Sequence, residues 1–212
     1  MPIFRYKSKL CFFSHIPKCG GSSIEEYAHD NGMELGLIDR VYRSRNMKWS
    51  ITSPQHIDGA SAAKMFSPSF FDGYFAVVRH PFKRLESAFK HQKFSAKIVE
   101  TGESLSDFVK QELRNNAMTI GYCDNHFLPQ TRFIIPNCPY KIFKLESGLE
   151  KVKSYIDIEF FGQKQELKIK HANKGKVKQF TQNLDLSLDV EAKEIVMDIY
   201  QKDFKEFDYL ID

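Results

Sequence analysis

The chain has 212 residues, of which 42% are hydrophobic and nineteen are phenylalanine. This is enough apolar material for a sizeable core, so we expect one globular domain over residues 1–212. The formal net charge of +4 suits an anionic ligand. It is too small for the dense basic arm typical of nucleic-acid-binding proteins, so no nucleic-acid partner is expected.

The cysteines do not indicate a metal or disulfide framework. Cys11, Cys19, Cys123 and Cys138 show no C-x-x-C pair and no regular spacing. The N-terminal apolar run Leu10–Phe13 is too short for a signal peptide or a membrane span. We therefore expect a soluble, cytoplasmic protein with reduced cysteines.

The first informative stretch is Leu10–Tyr27, LCFFSHIPKCGGSSIEEY. It predicts a short apolar strand, a loop with two glycines, and a helix with Ser22 or Ser23 as its N-cap. Glycines allow a ligand to approach the backbone, and the first N–H groups of a helix attract anions. Lys18 adds a full positive charge. The loop therefore predicts a phosphate-like ligand, but it lacks the G-x-x-x-x-G-K-[ST] order of an ATPase loop.

A candidate catalytic residue follows an irregular segment. Residues 31–53 show no sustained hydrophobic period, and we expect them to lie on the surface. Pro54 and Gln55 then bring His56 to the start of a short predicted helix at 60–66. His56 could face an open site or serve as a capping or surface residue.

A second strand predicts a second anion contact. The run Tyr74–Val78 is apolar and contains aromatic and β-branched residues, as in a buried parallel strand, and it leads directly into Arg79. Ligands of open α/β sheets bind at that end of the strands, where an arginine can hold two oxygens at once. A helix carrying Ser87 follows. A structural ion pair of Arg79 is the alternative.

The remaining chain continues the alternation of strands and helices. The loop Tyr122–Thr131 contains His126, either a ligand contact or a hydrogen-bonded loop residue. Tyr140–Leu145 predicts another strand followed by a helix, and Ser187 is a candidate N-cap for the last long helix. The basic segment 164–178 could close over an anion. The pattern predicts an α/β fold with a parallel sheet flanked by helices.

Two of these segments together resemble motifs of the sulfotransferases that use 3′-phosphoadenosine 5′-phosphosulfate (PAPS). Residues 15–23, HIPKCGGSS, resemble the 5′-phosphosulfate loop H-x-P-K-T-G-G-T-[ST] of the carbohydrate-type family, which includes the heparan 2-O and chondroitin enzymes and bacterial relatives. Residues 79–87, RHPFKRLES, resemble its 3′-phosphate motif R-[DH]-P-x-x-R-x-x-S. Weaker matches lie at 126–130, 145–146, 171–174 and 200–207. Cys19 departs from the usual threonine, which we expect to alter affinity without abolishing binding.

This resemblance implies a P-loop-like sulfotransferase fold and transfer of a sulfuryl group from PAPS to a hydroxyl, with adenosine 3′,5′-bisphosphate as the second product. It implies no metal. The residues implied for the 5′ group are Lys18, Cys19, Gly20, Gly21, Ser22 and Ser23. Those implied for the 3′-phosphate are Arg79 and Ser87, and Lys174 and Lys176 would complete the pocket.

The resemblance also implies a catalytic histidine between the two motifs, so His56 is the first candidate for the general base. His126 and Glu25 are competitors. Lys18 is the other catalytic residue that the resemblance implies. The acceptor implied is a carbohydrate, although a small hydroxylated metabolite or a lipid also fits. A P-loop nucleotide kinase is the alternative class. Such an enzyme would need Mg²⁺ and a metal-binding aspartate after a strand, but here the strand is followed by Arg79. A non-catalytic nucleotide-binding relative is the third possibility.

Overall fold

A computed structural model of the chain describes residues 2–44, 48–99, 104–170 and 184–211. Lys174 and Lys176, which the resemblance assigns to the nucleotide pocket, lie outside the described residues. So does the H-x-N match at 171–174.

A five-stranded sheet with the order β3-β1-β2-β4-β5 forms the centre of the fold. Its strands are β1 (Ile3–Tyr6), β2 (Lys9–Ser14), β3 (Glu34–Gly36), β4 (Gly73–Val78) and β5 (Tyr140–Lys144). Strands β2, β4 and β5 are parallel, with Phe13 paired to Phe75 and Val78 paired to Lys144. The predicted α/β fold is confirmed. Strands β1 and β3 pair antiparallel on one side and were not predicted from the sequence.

Helices flank the sheet. They are α1 (Gly21–Asp30), α2 (Gly59–Met65), α3 (Pro81–Phe94), α4 (Leu105–Phe108), α5 (Arg114–Asn116), α6 (Glu150–Ile156), α7 (Val190–Ile199) and α8 (Gln201–Glu206). Two π-helical segments, Val109–Leu113 and Asp157–Phe161, extend α4 and α6. Within the described ranges, none of these helices is long and apolar enough to cross a bilayer.

The core consists of two clusters of buried side chains. The first joins the sheet to α1 and α6, and in it the rings of Phe13 and Phe75 stack with centroids 4.7 Å apart. The second joins α3 to α4, α7 and α8, with Phe89 packed against Phe108. Both clusters hold the carboxyl ends of the parallel strands in place, because β2 leads into α1 and β4 leads into α3.

Two predicted helix caps are wrong. Helix α1 begins at Gly21, and its N-cap is Gly20 with a φ of 85°, so neither Ser22 nor Ser23 caps it. Helix α7 is capped by Asp189, whose carboxylate accepts the Ala192 N–H at 2.8 Å. Both differences have a local cause: the loop before α1 needs a left-handed residue, and a carboxylate is available two residues after Ser187.

The described parts of the segment 31–53 contain more regular secondary structure than the sequence pattern predicted. They include β3 and a 3₁₀ turn at Tyr42–Ser44. Strand β3 is only three residues long, so no hydrophobic period could reveal it.

Candidate active site

A cleft of 890 Å³ lies at the carboxyl end of the parallel strands. Most residues predicted for the site line it: Lys18, Gly20, Gly21, Ser22, Ser23, His56, Arg79 and Ser87. Glu25 and His126, the competing candidates for the base, also line it. The structure thus brings together both sequence motifs and every candidate base.

The loop between β2 and α1 has the backbone of an anion cradle. Lys18 and Gly20 both have a positive φ, 70° and 85°. This pair of left-handed residues turns the chain sharply between the strand and the helix. The first N–H groups of a helix attract anions, and those of α1 begin at Gly21, which lines the cleft.

Gly21 is required by its contact with His15. A Cβ on Gly21 would overlap the His15 imidazole, with even the Cε1 atom only 2.6 Å away. His15 is itself held by a hydrogen bond from its Nδ1 to Glu25 Oε1, and both side chains are buried. Burial alone would raise the pKa of Glu25, but the charge and hydrogen bond of His15 and the nearby Arg40 lower it. Glu25 is therefore an ionised partner of His15.

The two motif loops contact each other through Arg79. Its Nη1 donates to the Lys18 carbonyl at 3.3 Å. The Arg79 backbone is held by the Gln130 side chain, which accepts from Arg79 N and donates to Arg79 O, both at 2.8 Å. The guanidinium of Arg79 thus supports the first loop through a carbonyl group while it lines the cleft, whereas the structural alternative predicted from the sequence was an ion pair.

Arg84, a buried residue of α3, also holds loops of the site together. It is only 2% exposed and donates to three carbonyl groups. Its Nε bonds to Pro17 O at 3.1 Å, and its Nη2 bonds to His126 O at 3.0 Å and Leu128 O at 2.8 Å. This second arginine of the 3′-phosphate motif therefore ties α3 to the Lys18 loop and to the loop that carries His126.

His56 forms a dyad with Asp124. The His56 Nδ1 and Asp124 Oδ2 atoms are 2.8 Å apart, and Ser53 Oγ lies 3.0 Å from the same nitrogen. Burial lowers the pKa of His56, and the hydrogen bond and charge of Asp124 oppose that change. Burial would raise the pKa of Asp124, but His56 and Ser53 more than offset it and bring it to about 2. The site therefore holds a neutral imidazole against an ionised carboxylate.

Four imidazole rings lie in a row across the cleft. The ring centroids of His15 and His56 are 5.1 Å apart, and those of His56 and His126 are 5.0 Å apart. The His126 ring stacks on His91 at 4.9 Å. His126 Nδ1 donates to the Cys123 carbonyl at 2.8 Å. The hydrogen-bonded role predicted as one alternative for His126 is thus realised, in a residue that also lines the cleft.

The Cys19 side chain points beneath the loop. Its Sγ lies 3.4 Å from Gln130 Oε1, and the residue is only 1% exposed. Burial raises the pKa of its thiol to about 12. Any part of Cys19 in ligand binding is therefore left to its backbone.

Several residues at or beneath the site were not predicted from the sequence, among them Asp124, Gln130 and Arg84. Gln130 and Arg84 fell within quoted motifs without a role. The signal for Asp124 was weaker: a carboxylate two residues from His126 in a polar loop. Its contact with His56 spans 68 residues, which no local pattern encodes.

Comparison with known proteins agrees with these motifs. No curated protein and no solved structure matched the chain. The family model described as "Sulfotransferase family" matches residues 3–210, nearly the whole chain. The chain therefore belongs to the sulfotransferase family.

Proposed function

We propose that the protein transfers a sulfuryl group from PAPS to a hydroxyl group of an acceptor, with a carbohydrate as the acceptor class. The observation that carries the proposal is that one cleft is lined by the Lys18 loop, by Arg79 and Ser87, and by His56. Donor-binding groups and a candidate base therefore face the same space. The carbohydrate acceptor rests on the resemblance of the two motifs to the carbohydrate-type enzymes.

The donor would lie with its two anionic ends on the two motif loops. Lys18 and the N-terminus of α1 would hold the 5′-phosphosulfate, where a positive charge and aligned N–H groups stabilise the departing phosphate. Arg79 and Ser87 would hold the 3′-phosphate, for which a planar guanidinium is suited because it binds two oxygens. Lys174 and Lys176 belong to the same proposal.

His56 would act as the general base. With Nδ1–H donated to Asp124, its Nε2 carries the lone pair that accepts the proton of the acceptor hydroxyl. The acceptor oxygen bonds to sulfur while the bond from sulfur to the 5′-phosphate oxygen breaks, and the proton ends on His56. Asp124 then stabilises the imidazolium. Glu25 is less suited, because its carboxylate is buried and paired with His15.

The test is an assay of transfer from labelled PAPS to a panel of hydroxyl acceptors, with Lys18→Ala and His56→Ala. Loss of the preorganised charge in Lys18→Ala should reduce turnover about 100- to 1,000-fold. His56→Ala should lose turnover but still bind adenosine 3′,5′-bisphosphate in calorimetry. Lys64→Ala, an exposed lysine of α2, is the matched control.

Three outcomes would contradict the proposal. Near-normal turnover of Lys18→Ala would remove that residue from the mechanism. Loss of nucleotide binding in His56→Ala would make His56 a structural residue. Binding of ATP that requires Mg²⁺, without binding of the bisphosphate, would favour the kinase class.

A further inference from the structure

We infer that His56, Asp124 and His126 together form a binding site for a divalent transition-metal ion, with Zn²⁺ as the best match to their donor atoms. Each residue offers one ligand atom, and these atoms lie within 4.8 Å of one another. Two imidazoles and one carboxylate are a donor set that zinc takes in proteins, with the fourth position left to water or substrate.

The hydrogen bonds around His126 orient it as a ligand. A carbonyl oxygen can only accept, so the contact with Cys123 O places the proton on His126 Nδ1. The lone pair of the neutral ring then lies on Nε2. A backbone carbonyl that fixes the tautomer in this way is the usual partner of a metal-binding histidine.

The second imidazole and the carboxylate already share a proton. His56 Nδ1 and Asp124 Oδ2 are 2.8 Å apart, and a zinc ion would take the place of that proton. Ligand distances of about 2.0–2.1 Å in a tetrahedral site require the two atoms to separate by about 0.5 Å more. This is a small adjustment for side chains that are each 13% exposed on the cleft.

The backbone holds the three residues in a fixed arrangement. Cys123, Asp124 and Asn125 are consecutive non-glycine residues with a positive φ, between 48° and 59°. Such residues persist only where the surrounding structure determines their conformation, and they concentrate at functional sites. The fully buried Asn125 supplies part of that support, because its Nδ2 donates to His56 O at 2.8 Å. This left-handed turn therefore links the Asp124 and His126 segment directly to His56.

Metal binding should inhibit sulfuryl transfer, an expectation that rests on the proposed function. With zinc on Nδ1, the proton of a neutral His56 ring must lie on Nε2. That nitrogen can then no longer accept the proton of an acceptor hydroxyl. The ion and the catalytic proton transfer thus exclude each other.

The binding test uses tag-free protein treated with EDTA and then dialysed. Calorimetric titration with Zn²⁺ should show one equivalent bound, and Co²⁺ should give the visible absorption of a tetrahedral site. Asp124→Asn and His126→Gln should each weaken zinc binding by about 100-fold or more, since each removes a ligand. His29→Gln, which changes an exposed histidine on α1, is the control and should bind as the wild type does.

Absence of Zn²⁺ binding by the wild-type protein would overturn the inference. So would binding that both ligand variants retain, because the ion would then lie elsewhere. The Co²⁺ spectrum of the wild type tests the site even if a variant fails to fold, and an octahedral spectrum would contradict it. None of these results depends on sulfuryl transfer. If zinc binds at these residues but leaves turnover unchanged, the metal site stands and the role of His56 as base is wrong.

Discussion

Gln130 holds the backbone of Arg79 from both sides. Its Oε1 accepts the Arg79 N–H and its Nε2 donates to the Arg79 carbonyl, each at 2.8 Å. Gln130 is fully buried, and its own N–H donates to Asp203 at 2.8 Å. The end of β4, from which Arg79 enters the cleft, is therefore positioned by a side chain 51 residues away and, through it, by the C-terminal helix α8.

Replacing Gln130 should weaken both folding and nucleotide binding. Gln130→Ala leaves the Arg79 N–H and carbonyl without these partners, which we expect to lower the free energy of unfolding by about 2 kcal/mol. Because the Arg79 backbone then loses its fixed position, affinity for adenosine 3′,5′-bisphosphate should fall about tenfold or more. Chemical denaturation and calorimetry measure the two effects.

The control for this change is Gln163→Ala, at an exposed position. It should leave both the stability and the affinity within error of the wild type. Full nucleotide affinity in Gln130→Ala would show that the double hydrogen bond does not position Arg79.

Arg84 should be a determinant of stability that lysine cannot replace. Lysine lacks the planar fork that reaches the carbonyls of Pro17, His126 and Leu128 together. We expect Arg84→Lys to lower the free energy of unfolding by about 3 kcal/mol, because buried acceptors lose their donors. The neighbouring Lys83→Ala breaks a surface pair with Glu86 and should cost less than about 1 kcal/mol. Equal effects of the two substitutions in denaturant titrations would contradict this role.

The sequence predicted those parts of the site that are local in the chain. The segments around Lys18 and around Arg79 each combine a buried strand, a turn and a helix within about twenty residues. Their spacing therefore carries the information directly. Strands β2, β4 and β5 were recognisable for the same reason, as apolar or aromatic runs that lead into predicted helices.

The parts that could not be predicted depend on distant contacts. Strand β1 has four residues and β3 has three, too few for a period, and they form because they pair with β2 and with each other. Asp124 reaches His56 only because the chain makes a left-handed turn through non-glycine residues. No propensity predicts such a turn, since tertiary contacts must supply its energy.

Gly21→Ala should disturb the loop through its contact with His15. The added methyl group overlaps an imidazole that is buried and held by Glu25, so relief requires a shift of the loop or the ring. We expect a loss of about 1–3 kcal/mol in the free energy of unfolding, together with weaker bisphosphate binding.

The double variant Gly21→Ala with His15→Ala tests the cause of this loss. Removing the ring makes room for the methyl group, so the double variant should lose less stability than the sum of the losses in the two single variants. Gly36→Ala meets only an ordinary contact with Ile3 and serves as the control. Strict additivity of the two substitutions would refute the steric explanation.

Asp124→Asn should change both the rate and its dependence on pH, measured in buffer with EDTA so that no metal ion occupies the site. The Asp124 carboxylate raises the pKa of His56 against the lowering effect of burial, so its removal should lower that pKa further. A base acts when deprotonated, and the acidic limb of the kcat profile should therefore move to lower pH. The maximal rate should fall about 100-fold, because the asparagine amide can donate to Nδ1 and leave the ring proton on Nε2. Asp72→Asn, which lies before β4 at the opposite end of that strand, should leave the profile unchanged. A limb that moves to higher pH, or a shift of equal size in the control, would exclude the dyad as the catalytic base.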